Sequence, residues 1–100
     1  MAERYRSAKV YKITSSVNDE VYVGPTTKLL VLRFAAHLVA HQYRPATQGL
    51  GKLLREIGPD KFSIELLEDC PCNSAQELRS VERKWVEEVG TLNLKSQTEQ

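Results

Sequence analysis

A few polar and ionisable side chains lie within otherwise apolar segments of this 100-residue chain. Tyr11 and Tyr22 occur in short runs of valine and isoleucine, while Arg33, His37 and Glu82 interrupt longer apolar stretches. Phenols and an imidazole can take up and release protons, a guanidinium can hold an anion, and a carboxylate can hold a metal ion or move a proton. Together these side chains could carry out acid–base chemistry on an anionic substrate.

Arg33 and His37 belong to a regularly spaced stripe that also contains His41. The i, i+4, i+8 spacing puts all three side chains on one face of a helix. The rest of this segment is apolar, so the stripe must face either water or a polar site. From the spacing alone, the solvent side of a helix and a polar site remain equally open alternatives.

Glu82 falls inside the apolar stripe of a predicted helix, which contains Leu78, Val81, Trp85 and Val89. This placement follows from a helical wheel with about 100° per residue. A carboxylate at such a position needs a partner, because burying an unpaired charge is prohibitive. A metal ion, an arginine or a position at the rim of the core would each satisfy it.

The elements that must position these residues begin with a β-hairpin. Alternation of β-branched or aromatic residues with polar ones predicts strands at residues 9–14 and 20–24, separated by turn residues. The second strand is expected to end at a Gly-Pro pair, after which Thr26 and Thr27 offer hydroxyls to cap a helix.

Three helices and one more strand follow. The helix at residues 27–43 is apolar nearly all round, which predicts that most of it is covered. A shorter helix at residues 50–57 ends at a Gly-Pro pair, and a third strand is predicted at residues 61–68. A capping box, Ser-Ala-Gln-Glu, opens the last helix at residues 74–89.

This order of elements predicts a single α/β domain. We expect a small sandwich in which a central three-stranded antiparallel sheet is flanked by three helices. Residues 9–94 would form this domain, residues 1–8 a loose N-terminal arm and residues 95–100 a C-terminal tail.

Composition and charge narrow the class of protein. The composition is that of an ordinary globular protein, and no apolar run approaches the length of about 18 residues that spans a membrane. These features favour an intracellular protein with no membrane partner. Although the net charge is only +1, residues 1–55 hold nine Lys or Arg against three acids, whereas residues 56–100 hold five against ten. The first half is therefore expected to form a basic surface suited to phosphate contacts.

The two cysteines, Cys70 and Cys72, are too close in sequence to staple the fold and are interpreted as reduced thiols in a loop. An alternative would join them to His37 and His41 in a structural zinc site. The C-x-C spacing is unusual for such a site, so the alternative is weak.

Two tripeptides, Lys9-Val10-Tyr11 and Tyr22-Val23-Gly24, open an ordered series of motifs. The series continues with Arg33, His37, the strand residues 62–67, Glu82, Trp85 and Thr91-Leu92-Asn93. In this order the set resembles the catalytic domain of the GIY-YIG endonuclease family over roughly residues 8 to 94. Lys9 stands where the family name has glycine, and Pro25 stands where small polar residues are common.

The resemblance implies a GIY-YIG-like fold with the motif residues on one side of the sheet, and it implies roles for them. Tyr11 would be the general base, which requires its phenol pKa to be lowered from its usual value near 10. Arg33 would hold the scissile phosphate and offset its growing charge. Glu82 would be the sole protein ligand of a Mg²⁺ ion, with Mn²⁺ as an alternative.

The remaining implied roles are auxiliary. Tyr22 would orient water or phosphate through its hydroxyl, His37 would assist proton movement or contact phosphate, and Asn93 would close the site by hydrogen bonds. Structural roles for the same residues remain open, including an ion pair between Arg33 and Glu82.

Two hypotheses about function follow. In the first, the chain is a Mg²⁺-dependent DNA endonuclease or nickase that hydrolyses phosphodiester bonds with a single metal ion. In the second, it is a non-catalytic nucleic-acid-binding module on the same scaffold. Family members of this kind usually tether the nuclease to a DNA-targeting domain, so a separate domain or partner subunit is also expected.

Overall fold

The computed structural model describes residues 3–43 and 49–92, with the side chains of residues 5–40 and 50–92. Its strands and helices are β1 (Lys9–Ser15), β2 (Val21–Thr26), α1 (Leu30–Tyr43), α2 (Gly49–Ile57), β3 (Phe62–Asp69) and α3 (Ala75–Val89). Short 3₁₀ helices occupy Glu3–Ser7 and Pro59–Lys61. Within the described ranges, no helix is long and apolar enough to span a membrane.

The strands form one antiparallel sheet in the order β2-β1-β3. In the β-hairpin, Tyr11 pairs with Gly24 and Ile13 pairs with Tyr22, so these four residues lie on the same face of the sheet. The predicted three-stranded antiparallel sheet with three helices is therefore confirmed.

Each face of the sheet has its own hydrophobic core. Side chains alternate along β1, so Val10 enters the core under α3 and Tyr11 enters the core under α1. The α3 core contains Ala8, Val10, Val23, Cys70, Leu78 and Val86. The α1 core contains Tyr11, Ile13, Leu50, Leu54, Phe62 and Leu92, with Leu30, Phe34 and Leu38 packed against it.

The second strand runs further than predicted. β2 continues through Pro25 and Thr26, which pair with Val10 and Lys9. A proline is tolerated there because β2 is an edge strand and needs no donor on its outer side. Helix α1 consequently begins at Leu30, and Thr26 does not cap it, since its Oγ1 accepts a hydrogen bond from the Lys28 backbone N–H at 3.0 Å.

Helix α1 is much less covered than its composition predicts. Leu29, Val31, Leu32 and Val39 are all more than half exposed. A three-stranded sheet is narrow and can bury only one stripe of a helix, which here contains Leu30, Phe34 and Leu38. The prediction that most of this helix is buried was wrong for that reason.

The N-terminal segment also differs from the expected loose arm. Tyr5, in the first 3₁₀ helix, packs against the α3 core, and Ala8 is buried within it. The backbone carbonyls of Tyr5 and Ala8 accept hydrogen bonds from the Cys72 and Cys70 N–H groups, each at 2.9 Å. Both cysteines are free thiols. Cys70 lies in the α3 core, on the opposite face of the sheet from His37, so the four-ligand zinc alternative is not assembled.

Helix α3 begins as the capping box predicts. Ser74 Oγ accepts a hydrogen bond from the Glu77 N–H at 3.3 Å, and Glu77 Oε2 accepts one from the Asn73 N–H at 3.2 Å. Further along the helix, Trp85 Nε1 donates to Glu68 Oε1 at 2.8 Å and so ties α3 to β3. This contact gives the motif tryptophan a structural role.

Candidate active site

The Tyr11 hydroxyl is the centre of a short hydrogen-bonded chain. It lies 2.8 Å from His37 Nε2 and accepts a hydrogen bond from Arg33 Nε at 3.2 Å. The tyrosine is fully buried on the α1 side of β1, and the two α1 residues are one helical turn apart. The predicted polar stripe thus faces a site in the protein, which decides between the two alternatives for Arg33 and His37. The His41 side chain lies outside the described residues.

The protonation states of Tyr11 and His37 follow from which groups donate the hydrogen bonds between them and Arg33. Arg33 Nε always carries its hydrogen and donates to the Tyr11 oxygen. We therefore assign His37 the neutral tautomer with its hydrogen on Nδ1, because Nε2 can then accept the Tyr11 O–H. Burial, together with the nearby Arg33 charge, lowers the pKa of His37 to about 4, so the imidazole is neutral at pH 7.

A general base at Tyr11 was expected to have a lowered phenol pKa. The structure instead raises this pKa. Burial raises the pKa of the phenol above its ordinary value of 10.0, and the Arg33 hydrogen bond and charge only partly offset this. Tyr11 is therefore a neutral phenol at pH 7. It can accept a proton only if its own proton leaves at the same time, and His37 is placed to receive it.

The Tyr22 ring packs beside the Tyr11 and His37 rings. Its ring centroid lies 6.5 Å from that of Tyr11 and 5.6 Å from that of His37, with the imidazole nearly perpendicular to it. Burial is the main cause that raises the pKa of Tyr22 to about 12. Its hydroxyl therefore keeps its proton and can act as a hydrogen-bond donor.

Gly24 leaves the space that Tyr11 occupies. A Cβ atom at this position would lie 2.5 Å from the Tyr11 hydroxyl oxygen and 2.7 Å from Cζ. The backbone here does not have the positive φ that favours glycine, so the requirement is steric. Sequence reasoning placed Gly24 in a motif but missed this contact, because it did not fix the strand register that pairs Gly24 with Tyr11.

We predict that Gly24→Ala displaces the Tyr11 ring from Arg33 and His37 and lowers the DNA cleavage that the family resemblance implies by about 10²-fold, the typical effect of misplacing a reacting group by about 1 Å. Gly51→Ala is the matched control, because it adds the same methyl group in α2, where alanine favours the helix. Plasmid-cleavage rates and circular dichroism spectra of both variants test this. Unchanged cleavage by a folded Gly24→Ala protein would contradict the steric role.

Glu82 is a half-buried carboxylate, as its place in the apolar stripe of the helical wheel predicts. Burial raises its pKa above the ordinary value of 4.5, while the charges of Arg79 and Arg83 act in the opposite direction. Its own charge raises the pKa values of Tyr11 and Tyr22, which places it electrostatically within their site. In the described part of the chain it has no salt bridge within 4.0 Å, so the alternative of an Arg33–Glu82 ion pair is not formed.

A divalent cation fits this environment. A half-buried carboxylate without a direct ion pair is stabilised by a cation, and oxygen ligands are those that Mg²⁺ and Mn²⁺ prefer. Among residues 3–43 and 49–92, no three His, Cys, Asp or Glu side chains form a metal-binding group. Glu82 could therefore contribute at most a single carboxylate ligand to such an ion.

The end of the motif series is only partly described. The Thr91 hydroxyl accepts a hydrogen bond from the Val21 N–H at 2.8 Å, and the Thr91 N–H donates to the Val21 carbonyl at 2.9 Å. These bonds tie the segment after α3 to the strand that carries Tyr22. Asn93, predicted to close the site, lies outside the described residues.

The depressed pKa of His37 gives a pH-dependent prediction. In a pH titration followed by NMR, the His37 imidazole should protonate near pH 4 rather than near 6.5, with the His41→Gln spectrum assigning its signals. The DNA cleavage that the family resemblance implies should fall as the pH drops through this value, because a protonated Nε2 can no longer accept the Tyr11 O–H hydrogen bond. In Arg33→Ala the pKa should rise, since one of its two depressing causes is removed. A His37 pKa near 6.5 in the wild type would contradict the buried arrangement.

The fold and the motif series match a known family of domains. Residues 8–96 match the GIY-YIG catalytic domain, and the chain belongs to this family. The catalytic domain of the homing endonuclease I-TevI has the same fold, with a TM-score of 0.69 over 82% of this chain and 87% of that chain, at 22% sequence identity.

Two similar proteins come from Invertebrate iridescent virus 6. The uncharacterized protein 019R is 33% identical over 84 residues, which cover 84% of this chain and 30% of that protein. The putative MSV199 domain-containing protein 146R is 30% identical over 88 residues, or 88% of this chain and 36% of that protein. The chain therefore spans about a third of the length of these relatives.

Proposed function

We propose that the chain is a DNA endonuclease or nickase that hydrolyses phosphodiester bonds with a single divalent metal ion. The observation that carries this proposal is the Tyr11 hydroxyl held between Arg33 Nε and His37 Nε2. A buried phenol with a neutral imidazole as its acceptor and a fixed cation as its donor is arranged for proton transfer beside an anion.

In the proposed step, water attacks phosphorus and passes a proton to the Tyr11 oxygen while Tyr11 passes its own proton to His37 Nε2. The phenol stays neutral, which its raised pKa favours, and the imidazole becomes cationic. A bond forms between the water oxygen and phosphorus, and the bond from phosphorus to the 3′ oxygen breaks. The 3′ oxygen takes a proton from solvent, and His37 later returns its proton to solvent.

Arg33 binds the phosphate in this step. Of its five N–H groups, the Nε hydrogen is used to hold Tyr11, which leaves the Nη hydrogens for phosphate oxygens. The guanidinium thus fixes the base and offsets the charge that develops on the phosphate. Tyr22 keeps its proton and can donate its hydroxyl hydrogen to the attacking water or to the phosphate.

Glu82 would hold the metal ion, Mg²⁺ or Mn²⁺. When bound, such an ion supplies Lewis-acid stabilisation of the departing 3′ oxygen. The position of Glu82 beside both phenols supports this assignment. Because the chain covers only 30% and 36% of two viral relatives, we further propose that DNA targeting involves a separate domain or a partner subunit.

Incubation with supercoiled plasmid in Mg²⁺ and in EDTA tests the proposed function. Conversion of the plasmid to open circles in Mg²⁺ but not in EDTA supports the proposed nuclease activity. If plasmid, branched and nicked DNA all stay intact at excess protein but are bound, the chain is a nucleic-acid-binding module instead.

A further inference from the structure

A groove opens beside the candidate active site, at the end of the edge strand. It has a volume of 370 Å³ and lies between the C-terminal end of β2, the start of α1 and the first turns of α3. Its polar lining residues are Thr26, Thr27, Lys28, Arg33 and Arg79, together with the aromatic Tyr5. Among the described residues, no aspartate or glutamate lines it.

The charges in this groove are available to a ligand. In the part of the chain that the structure describes, neither Lys28 nor Arg79 forms a salt bridge within 4.0 Å. Lys9 adds a fixed charge near the same end, because its Nζ donates to the backbone carbonyls of Ser7 and Lys28 at 2.7 and 3.1 Å. A concave surface with several unpaired cations and no acid attracts anions strongly.

Arg33 belongs both to this groove and to the Tyr11 site. An anion in the groove would therefore be continuous with a phosphate bound at Arg33. We propose that the groove binds the backbone phosphate adjacent to the scissile one, so that a nucleic-acid strand runs from the Tyr11 site over β2 toward Arg79. This inference rests on the proposed function. It assigns binding residues outside the motif series.

The test compares DNA binding by groove variants and by matched controls. Binding of a labelled phosphorothioate duplex is measured by fluorescence anisotropy in EDTA at several salt concentrations. The groove variants are Lys28→Gln and Arg79→Gln. Lys52→Gln, on the exposed side of α2, is the lysine control. Arg83→Gln is the arginine control, because Arg83 lies on the same helix and, like Arg79, lowers the pKa of Glu82, but it does not line the groove.

Each groove variant should weaken binding and reduce the log–log salt slope by about 0.9, the value for one lost phosphate contact. The control variants should bind like the wild type. Replacement of chloride by inorganic phosphate at equal ionic strength should not displace the duplex selectively, because the groove recognises a phosphate tethered to the one at Arg33.

Three results would overturn the inference. In the first, Lys28→Gln and Arg79→Gln keep the wild-type salt slope. In the second, Arg83→Gln loses as much binding affinity as Arg79→Gln. Selective displacement by inorganic phosphate would assign the groove to a free anion and would likewise overturn it. In each case, continued plasmid cleavage by the wild type would leave the proposed function standing. A wild type that binds no duplex and cleaves none would instead overturn the proposed function itself.

Discussion

Arg33→Ala should lower DNA cleavage by about 10²-fold or more while leaving the fold intact, since removal of one charge that stabilises a transition state has this order of effect. The substitution removes the donor to the Tyr11 hydroxyl and the charge proposed to face the phosphate. Arg33 is half-buried and, in the described structure, has no salt bridge, so no buried charge is left unpaired. Cleavage rates under single-turnover conditions measure the effect.

Two further variants sharpen this prediction. Arg33→Lys keeps the charge but loses the Nε contact and bidentate binding, so it should recover only a small part of the activity. Arg55→Ala, on the exposed surface of α2, should cleave like the wild type. Full activity in Arg33→Ala would remove this residue from the site, and a collapsed circular dichroism spectrum would assign it a structural role instead.

Glu82→Gln should abolish cleavage and leave DNA binding in place. The amide preserves size and hydrogen bonding but removes the charge that would hold the metal ion. Because the folded-state pKa of Glu82 is raised, its ionised form at pH 7 is disfavoured by folding, and the neutral amide should keep or slightly raise the melting temperature. For the same reason, the free energy of unfolding of the wild type should increase as the pH falls and the Glu82 carboxylate is protonated.

Glu88→Gln is the matched control for Glu82, because it removes the same charge from an exposed position of the same helix. It should cleave and bind DNA like the wild type. Measurable nicking by Glu82→Gln in Mg²⁺ would show that this carboxylate does not hold the metal ion. It would thereby contradict the proposed single-metal mechanism.

The parts of the fold that depend on local patterns could be predicted from the sequence. The hairpin, the third strand and the capped helix α3 follow from side-chain alternation and from the Ser74–Glu77 capping box, and all three are present. The helical wheel also placed Glu82 correctly, because helix periodicity alone decides which face a residue occupies.

Features that depend on packing between distant segments could not be predicted in this way. The exposure of Val31 and Leu32 reflects the narrow sheet, which periodicity does not encode. The extension of β2 through Pro25 reflects pairing with β1 at a sheet edge. The packing of Tyr5 depends on hydrogen bonds to the loop that carries Cys70 and Cys72.

The candidate site likewise combines features that local sequence patterns predict with features that depend on packing. Spacing put Arg33 and His37 on one face, but only the three-dimensional structure brings both to the Tyr11 hydroxyl and raises the pKa of that phenol. The uneven charge along the chain predicted a basic surface from the first half. Arg79 lies in the acidic second half and joins the groove because α3 packs against β2.

Cleavage of supercoiled plasmid, followed by treatment with DNA ligase, tests the central claim most directly. Hydrolysis with departure of the 3′ oxygen leaves a 5′ phosphate and a 3′ hydroxyl, which ligase can seal. We predict that the wild type in Mg²⁺ produces open circles that ligase closes again, and that EDTA prevents their formation. Plasmid that remains supercoiled at excess wild-type protein in Mg²⁺ and Mn²⁺, or nicks that ligase cannot seal, would contradict the proposed hydrolysis.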